Sequence, residues 1–550
     1  MSLVLTPRQQ CDLEMILNGG FAPLKGFLGK EDYFSVLNNM CLSTGELWPM
    51  PIVLPIKKKQ VKEMIKKYQD NNENELVLTL LNEENLPLGK IVNPAFYNPD
   101  VELECHKVFK SLDTNHPYIK ETLEQKDIYY VGGTVIEMNP FPHFDFKEHR
   151  LTPHQTKKYF KEHGWKTIVG FQTRNPMHRS HYELTKYALS KAGADAKLLL
   201  HPVVGVTQAC DVNYHTRVRC YKKLLNHYEP NSALLSLLPI SMRMAGPREA
   251  LWHALIRQNY GCTHFVVGRD HAGPSYKKQD GTDFFGPFDA HELLESVEDE
   301  LDIKVIKSQW IVYAKNLDTY KPMDQVTEED EILHISGTKQ RELLNKGLPI
   351  PSWFTFPDIE QELRKSYKPI KEQGFCVYFV GLSGSGKSTV MNALKAKLMA
   401  VDSRHITTLD GDVVRQHLSK GLGFNREDRS TNVRRIGWIA SEVVKHNGIV
   451  LTANIAPYKA DRDYNRDLIG KNYIEVFVDT PLKECEKRDC KGLYKLARQG
   501  IIKEFTGISD PFERPEEPEV LVELDTLENQ VNKVLSYLQD KGLAKDDRLF

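Results

Sequence analysis

Two separate stretches of this sequence contain residue types that handle nucleotides. Residues 171–181 combine an amide, an arginine, an asparagine and two histidines, and a glycine-containing stretch at residues 268–273 follows them. Residues 381–389 contain Gly381, Gly386, Lys387 and Ser388 in the full spacing of a phosphate-binding loop. Two such sites in this order indicate consecutive reactions, in which the product of the first site is the substrate of the second.

The phosphate-binding loop predicts an ATP site with a magnesium ion. Backbone amides of the loop and of the following helix N-terminus bind phosphate oxygens. Lys387 is expected to reach the β- and γ-phosphates, and Ser388 to ligate Mg²⁺. The predicted ATP-binding residues of this site are Gly384, Ser385, Gly386, Lys387, Ser388 and Thr389. The loop establishes a nucleotide but not the phosphoryl acceptor.

The acceptor is suggested by motifs at residues 409–415, 423–429, 432, 491–495 and 505–507. Together they resemble the adenylylsulfate kinase family over most of residues 375–545. The resemblance implies that Asp410 takes the proton from the 3′-hydroxyl of the substrate and that Phe424 stacks on its base. Arginines and a carboxylate beyond a strand end suit an anionic substrate and a general base. The resemblance assigns substrate contacts to Asp412, Arg415, Phe424, Arg429, Asn432, Ile455, Lys495 and Ile508.

One position departs from the family pattern. Many members carry a serine that can be phosphorylated, whereas this sequence has Ala456, between Ile455 and Pro457. Alanine has no hydroxyl, which excludes a phosphoserine intermediate at this position. The remaining mechanism is direct in-line transfer from ATP.

The earlier stretch resembles the ATP sulfurylase family. The similarity extends to residues 242–250, 268–273 and 335–338 and covers residues 1–355. It implies that sulfate is held by Gln172, Arg174 and the backbone of Ala272. The catalytic residues it implies at this site are Thr173, Arg174, Asn175, His178 and His181. The residues it places around ATP are Gln172, Asn175, Gly268, Arg269, Asp270, His271 and Ile311.

The chemistry of this reaction explains the residue types. Sulfate is a poor nucleophile and ATP is highly charged, so the site must neutralise and align two anions. His178 and His181, three residues apart in a first helical turn, are expected to share one face and to donate to the leaving pyrophosphate. Metal ligation by these histidines is the competing interpretation, although no third ligand has convincing spacing.

The spacing of apolar residues along the chain predicts an α/β multidomain fold for these motifs. Residues 1–150 read as a β-rich domain, with strands at 51–56 and 76–81. Residues 151–355 read as a Rossmann-like nucleotidyltransferase domain with a small trailing subdomain, residues 356–374 as a linker and residues 375–550 as a P-loop kinase domain. The predicted strands of the two α/β domains are 167–171, 197–201, 264–268, 375–380, 405–409, 448–452 and 473–478, with a helix at 181–191.

Composition limits the range of functions. The chain has 550 residues and a net charge of −1, which argues against a general nucleic-acid or membrane-surface binder. Nine cysteines form no C-x-x-C pair, so neither a zinc site nor a disulfide framework is indicated. No signal peptide and no apolar stretch of roughly 20 residues is present. We therefore expect a cytoplasmic protein with sulfate, ATP and adenylyl sulfate as partners, in a homo-oligomer, dimer or hexamer.

These features predict a bifunctional, sulfate-activating enzyme that makes adenylyl sulfate and then phosphorylates it at the 3′-hydroxyl. One alternative is a sulfurylase whose C-terminal domain is a non-catalytic module that binds the final product. Another is a sulfurylase that runs in the ATP-forming direction. A third is a generic nucleotidyltransferase joined to an unrelated kinase. The sequence leaves open the direction, the oligomeric state, channelling and feedback control.

Overall fold

Four β-sheets organise the chain in this computed structural model, which describes residues 2–70, 75–208 and 211–545. The chain divides into two units. The first comprises Met1–Ile335 and Pro351–Leu363, and the second comprises Ser336–Ile350 and Arg364–Phe550. Three of the sheets lie in the first unit and one in the second.

The N-terminal sheet has seven strands in the order β1-β4-β5-β7-β2, with β3 and β6 also pairing with β7. Its strands are β1 (Ser2–Val4), β2 (Gly26–Phe27), β3 (Pro55–Lys57), β4 (Val77–Leu81), β5 (Pro87–Val92), β6 (Ala95–Tyr97) and β7 (Ile128–Glu137). The accompanying helices are α1 (Pro7–Leu17), α2 (Lys30–Asn39), α3 (Lys58–Asp70), α4 (Val101–Phe109) and α5 (Pro117–Leu123). Helix α6 (Pro153–Glu162) follows, before the second sheet.

The predicted strand at 76–81 is confirmed by β4, but the one at 51–56 is wrong for residues 51–54. Pro51 and Pro55 have no N–H to donate to a ladder. Only single backbone bonds, from Leu28 to Ile52 and from Val131 to Leu54, hold this segment. Regular pairing therefore begins only at Pro55.

The second sheet is fully parallel and carries the first predicted site. Its strands are β8 (Ile168–Phe171), β9 (Lys197–Leu200), β10 (Ala233–Leu235), β11 (His264–Val267) and β12 (Lys304–Lys307). Its helices are α7 (Arg179–Ala192), α8 (Tyr214–Leu225), α9 (Pro247–Asn259) and α10 (Asp289–Ser296). The order β10-β9-β8-β11-β12 reverses the direction of winding between β8 and β11, which is where open α/β sheets bind ligands. The predicted strands and the predicted helix are confirmed.

A small antiparallel sheet follows in the order β14-β13-β15. Its strands are β13 (Ile311–Ala314), β14 (Thr319–Pro322) and β15 (Ile332–Leu333). Strand β13 packs against α7, and all four of its residues are buried.

The second unit contains a five-stranded parallel sheet in the order β17-β18-β16-β19-β20. Two helices precede it, α11 (Gly337–Lys346) and α12 (Pro357–Ser366), the latter starting in the first unit. The strands are β16 (Phe375–Val380), β17 (Ile406–Asp410), β18 (Ile449–Ala453), β19 (Tyr473–Asp479) and β20 (Val520–Glu523). The helices are α13 (Lys387–Val401), α14 (Gly411–Gln416), α15 (Arg426–Lys445), α16 (Lys459–Ile469), α17 (Leu482–Arg488), α18 (Leu493–Arg498) and α19 (Leu527–Asp540).

The central strand β16 is buried at every residue, because helices cover both faces of a parallel sheet. All four strands predicted for this region are observed within one or two residues of their expected bounds. Within the described ranges, no helix has the length and apolar character needed to cross a membrane.

Candidate active sites

The first site is built on two loops that leave the carboxyl ends of neighbouring strands. Residues 172–178 follow β8 and residues 268–272 follow β11, and these strands pair in parallel. The Arg174 Nη2 donates to Ser275 Oγ at 3.3 Å, which joins the segments after the two strands. The two motifs that the sequence singled out therefore meet at the switch point of the sheet.

The histidine pair has an asymmetric arrangement. His178 is the N-cap of α7, not a residue within its first turn, and its backbone N–H donates to His181 Nδ1 at 3.2 Å. Desolvation lowers the pKa of His181 to about 4, so its ring is neutral at pH 7. Because Nδ1 accepts a hydrogen bond, the neutral ring carries its proton on Nε2. His181 is thus fixed as an Nε2–H donor at the positive end of a helix.

His178 is held by a different part of the unit. Its Nδ1 lies 3.1 Å from Thr355 Oγ1, and its ring packs against Phe354 with centroids 4.4 Å apart. The two histidine rings are 6.0 Å apart. No group of three or more His, Cys, Asp or Glu side chains suited to a metal ion occurs within the described residues.

Arg174 is oriented by a carboxylate that no local sequence pattern marks. Its Nη1 donates to both oxygens of Asp211 at 2.8 and 3.0 Å. The Arg217 Nη1 donates to the backbone oxygen of Arg174 at 2.9 Å, which fixes the loop itself. Arg174 therefore presents an aligned guanidinium whose charge is already partly balanced.

The remaining residues of this loop form a tight turn. Thr173 Oγ1 accepts from the Asn175 backbone N–H at 3.1 Å, and Tyr221 donates to the Asn175 backbone oxygen at 2.8 Å. The Asn175 side chain is exposed, whereas Gln172 Oε1 is buried with no hydrogen-bond partner among the described residues. A sulfate anion has no hydrogen-bond donor, so Gln172 can contact it only through Nε2–H, which lies 3.9 Å from Met242 Sδ.

The second loop contains two non-glycine residues in the left-handed region, Asp270 at φ 47° and Ala272 at φ 58°. Such conformations are strained and occur often at functional sites. Gly268 donates its N–H to His271 Nδ1 at 3.3 Å, and His271 Nε2 lies 3.1 Å from His253 Nδ1. Desolvation, together with Asp283, raises the pKa of Asp270 to about 6.

The other predicted ATP contacts of this site take different environments. Arg269 is exposed and lies over the Phe288 ring at 5.6 Å. Ile311 is buried in β13, and the Ala272 backbone oxygen accepts from Gly246 at 3.1 Å. The sequence analysis did not identify His253, the partner of His271, although this residue of α9 lies only three residues beyond the motif at 242–250.

The second site surrounds a cavity of 370 Å³ at the carboxyl end of the second unit's sheet. Gly386 precedes α13 at φ 101°, a conformation that favours glycine. Lys387 is buried, and its Nζ donates to the Leu382 backbone oxygen at 2.7 Å. Desolvation lowers the pKa of Lys387 to about 8.

A carboxylate in the lining of this cavity contacts the phosphate-loop motif directly. Ser388 Oγ donates to Asp410 Oδ2 at 2.6 Å, and Asp410 Oδ1 accepts from the Asp412 backbone N–H at 3.0 Å as the N-cap of α14. Oxygen ligands of this type suit Mg²⁺. The predicted ATP and acceptor residues that line the cavity are Gly384, Gly386, Lys387, Ser388, Thr389, Asp410, Asp412, Arg415, Phe424, Arg429, Asn432 and Ile455.

Two arginines in the cavity are held by specific partners. The Arg415 guanidinium lies 4.4 Å from the centroid of the exposed Phe424 ring. Arg429 is buried and donates to Thr506 Oγ1 at 2.5 Å and to Asp510 Oδ2 at 2.9 Å. The motif at 505–507 therefore positions Arg429.

Three predicted residues lie outside the cavity lining. Ser385 is buried beneath the loop, and its Oγ is 3.5 Å from Lys387 Nζ. Lys495 is exposed on α18, and Ile508 lines a separate depression with Leu382. Lining residues to which the sequence assigned no contact are Ser383, Gly411, Val433, Ala453, Asn454, Ala456, Pro457, Arg488, Asp489, Cys490, Lys491 and Tyr494. Lys491 pairs with Asp412 and belongs to the same motif as Lys495.

Three family models match the chain in order. They are a PUA-like domain at residues 1–140, ATP-sulfurylase at residues 147–366 and adenylylsulphate kinase at residues 373–523. A sulfate adenylyltransferase of Neurospora crassa is 41% identical over 98% of this chain and 94% of its own length. One from Yarrowia lipolytica is 42% identical over the same shares. A solved structure, a hexameric APS kinase from Thiobacillus denitrificans, matches 99% of this chain and 94% of that one, with a TM-score of 0.79 at 29% identity.

Proposed function

Because this chain belongs to the sulfate adenylyltransferase family and carries an adenylylsulfate kinase domain, we propose that it activates sulfate in two steps. ATP and sulfate give adenylyl sulfate and pyrophosphate at the first site, within residues 1–355. A second ATP phosphorylates the 3′-hydroxyl of adenylyl sulfate at the second site, within residues 375–550. The observation that carries the second step is the complete phosphate loop in direct contact with Asp410 in the lining of one cavity.

At the first site, Gln172, Arg174 and the Ala272 backbone bind sulfate. Arg174 is suited to this role because Nη1 donates to both oxygens of Asp211, which orients the guanidinium, while Nη2 contacts only the neutral hydroxyl of Ser275. A sulfate oxygen attacks the α-phosphorus, and the bond from that phosphorus to the pyrophosphate oxygen breaks. Thr173 and Asn175, in their tight turn, contact the α-phosphate.

The leaving pyrophosphate receives hydrogen bonds from the histidines. His181 is the main donor, since its Nε2–H is free of the capping bond that engages Nδ1. His178 contributes from the N-cap position. The loop from Gly268 to His271, with Ile311 of β13, surrounds the nucleotide.

At the second site, Asp410 accepts the proton of the substrate's 3′-hydroxyl. The oxygen of that hydroxyl bonds to the γ-phosphorus of ATP, and ADP leaves. Phe424 stacks on the base, and Arg415, Arg429 and Asn432 bind the phosphosulfate. Lys491 lines the cavity beside Asp412, which supports a substrate contact for this lysine. Contacts of Lys495 and Ile508 with the nucleotide stay predictions.

Mg²⁺ fits the oxygen ligands of the second site. The Ser388 hydroxyl and the Asp410 carboxylate would hold it, directly or through water. When bound, it neutralises charge on the phosphates of ATP.

Assembly and location complete the proposal. The hexameric relative, similar over nearly the whole chain, supports a homo-oligomer. All cysteines within the described ranges are free thiols, which supports the reducing cytoplasm.

Product analysis tests the proposal. The purified protein is incubated with labelled sulfate, ATP and magnesium, and the two sulfated nucleotides are separated. We expect both adenylyl sulfate and its 3′-phosphorylated form. Adenylyl sulfate alone, with a sulfurylase rate that responds to added 3′-phosphoadenylyl sulfate, would instead support the regulatory alternative.

A further inference from the structure

Asn454 lies in the lining of the second site's cavity and carries an unpaired amide group. It follows β18 directly, is only 6% exposed and lines the cavity together with Lys387 and Asp410. Its Nδ2 is buried and has no acceptor among the described residues. Burying an amide donor without an acceptor is unfavourable, so a bound group that supplies one is expected.

A chain of hydrogen bonds determines which atom of the Asn454 amide is paired and which is not. The Asn465 Nδ2 donates to the Val433 backbone oxygen and to Tyr378 Oη, both at 3.1 Å. A carbonyl oxygen only accepts, so the orientation of the Asn465 amide is fixed. Tyr378 must then donate its own proton to Asn454, at 3.2 Å. The atom of Asn454 beside Tyr378 is therefore Oδ1, and Nδ2 is the free one.

The packing around this chain leaves little room for rearrangement. Gly437 on α15 lies so close to Asn465 that a Cβ there would come within 1.8 Å of Asn465 Oδ1. Tyr378 and Asn465 are fully buried. The Asn454 amide is consequently held in one orientation before any substrate binds.

Asn454 also lies next to the carboxylate of the reaction. Asp410 pairs in register with Ala453, the residue before Asn454. A Cβ on Gly411, the residue after Asp410, would stand 3.5 Å from Asn454 Cβ. If Asp410 contacts the 3′-hydroxyl, the vicinal 2′-hydroxyl is the nearest other polar group of the ribose, and the neighbouring Asn454 is placed to meet it.

We infer that Asn454 is a substrate-binding residue that donates from Nδ2 to the ribose 2′-hydroxyl oxygen of the acceptor nucleotide. This inference rests on the proposed kinase step. It makes Asn454 a specificity-determining residue, because a substrate without the 2′-hydroxyl leaves the buried amide unpaired. The site thus selects a ribonucleotide through a residue outside the recognised motifs.

The test compares adenylyl sulfate with 2′-deoxyadenylyl sulfate as acceptors. The wild type should prefer the ribonucleotide in kcat/KM by about tenfold or more. In Asn454→Leu, which removes the donor, the preference should fall to about one, with the KM of ATP unchanged. Asn454→Asp keeps the acceptor for Tyr378 but not the donor, and it should lose the preference likewise.

Thr452→Val is the matched control. Thr452 lies on β18, two residues before Asn454, and is buried but does not line the cavity. Its replacement should leave the preference intact. A wild type that uses both acceptors equally, or an Asn454→Leu variant that keeps the full preference, overturns the inference. A wild type that phosphorylates neither acceptor overturns the proposed kinase step and the inference with it.

Discussion

The backbone N–H of His178 donates to Nδ1 of His181 across 3.2 Å, where helix α7 begins. A capping bond of this kind usually serves the helix. Here it also sets the tautomer of a ring whose pKa is lowered to about 4 by desolvation. The same contact that starts the helix therefore fixes a neutral hydrogen-bond donor at its positive end.

Replacing His181 by Ala should slow the first reaction in both directions. Pyrophosphate is the leaving group forward and the nucleophile in reverse, and losing one such donor costs about a hundredfold to a thousandfold in rate. Kinase activity on supplied adenylyl sulfate should survive. The control is His154→Ala, which changes an exposed histidine on α6. Near-normal sulfurylase turnover in His181→Ala would rule out the proposed role.

The low pKa of His181 has a consequence for pH dependence. Its ring stays neutral in the folded protein until the pH approaches about 4, whereas an unperturbed histidine is protonated below 6.5. Protonation thus favours the unfolded state between these values, so this residue's contribution to stability falls as pH drops from about 6.5 to 4. The free energy of unfolding is measured by urea denaturation at pH 7.5 and at pH 5 for the wild type and for His181→Gln. It should fall more between these two pH values in the wild type than in the variant. An equal fall in both proteins would contradict the shifted pKa.

The two activities should separate in the Lys387→Ala variant. This change removes the charge facing the β- and γ-phosphates at the second site only. Adenylyl sulfate should still form, while its 3′-phosphorylated product disappears from the labelled nucleotides. Lys395→Ala, on the same helix but outside the cavity lining, is the control. Loss of both activities in a folded Lys387→Ala protein would argue against independent sites.

ATP binding at the second site should take up a proton near pH 8. The Lys387 ammonium loses its proton at about pH 8 in the free protein because of desolvation, and bound phosphate charge favours the protonated form. The apparent affinity for ATP should therefore fall as pH rises above about 8. Calorimetry at pH 8 in two buffers with different ionisation heats measures the proton uptake. If the Lys387→Met variant still takes up a proton when ATP binds, the proton is taken up by another group.

The local elements of both sites could be predicted from the sequence. A strand, a glycine turn and a helix follow from the residues of the phosphate loop, and the strands before residues 172 and 268 are short buried apolar runs. The meeting of these two motifs needed only the rule that ligands bind at carboxyl ends of parallel strands.

What the sequence could not provide were contacts between distant segments. Asp211 pairs with Arg174 through a fold that brings separate loops together, and no local pattern marks it. Thr355, which contacts His178, lies 177 residues away. In the motif at 491–495, Lys491 and Tyr494 line the cavity, whereas Lys495, on α18, does not.

Asp410→Asn decides whether the second site is a kinase or a regulator. The amide keeps the size of the side chain and can still accept from the Asp412 N–H, while its other end faces the Ser388 hydroxyl. The carboxylate is lost, both as the proposed base and as a proposed ligand of Mg²⁺. As a kinase, the variant should transfer phosphate about a hundredfold more slowly even at saturating ATP and magnesium.

Ala456 sharpens the same experiment, because direct transfer predicts no phosphoenzyme at this position. Ala456 is buried, with φ at 44°, and its backbone oxygen accepts a hydrogen bond from Arg462 at 2.9 Å. Its packing and its hydrogen bond therefore need no side-chain hydroxyl. Mass spectrometry of wild type after incubation with ATP alone should find no modified residue from 454 to 458. A slow Asp410→Asn variant beside an unmodified wild type leaves in-line transfer to the nucleotide as the mechanism. A wild type that makes no 3′-phosphorylated product at saturating substrate would leave the regulatory module as the function of this domain.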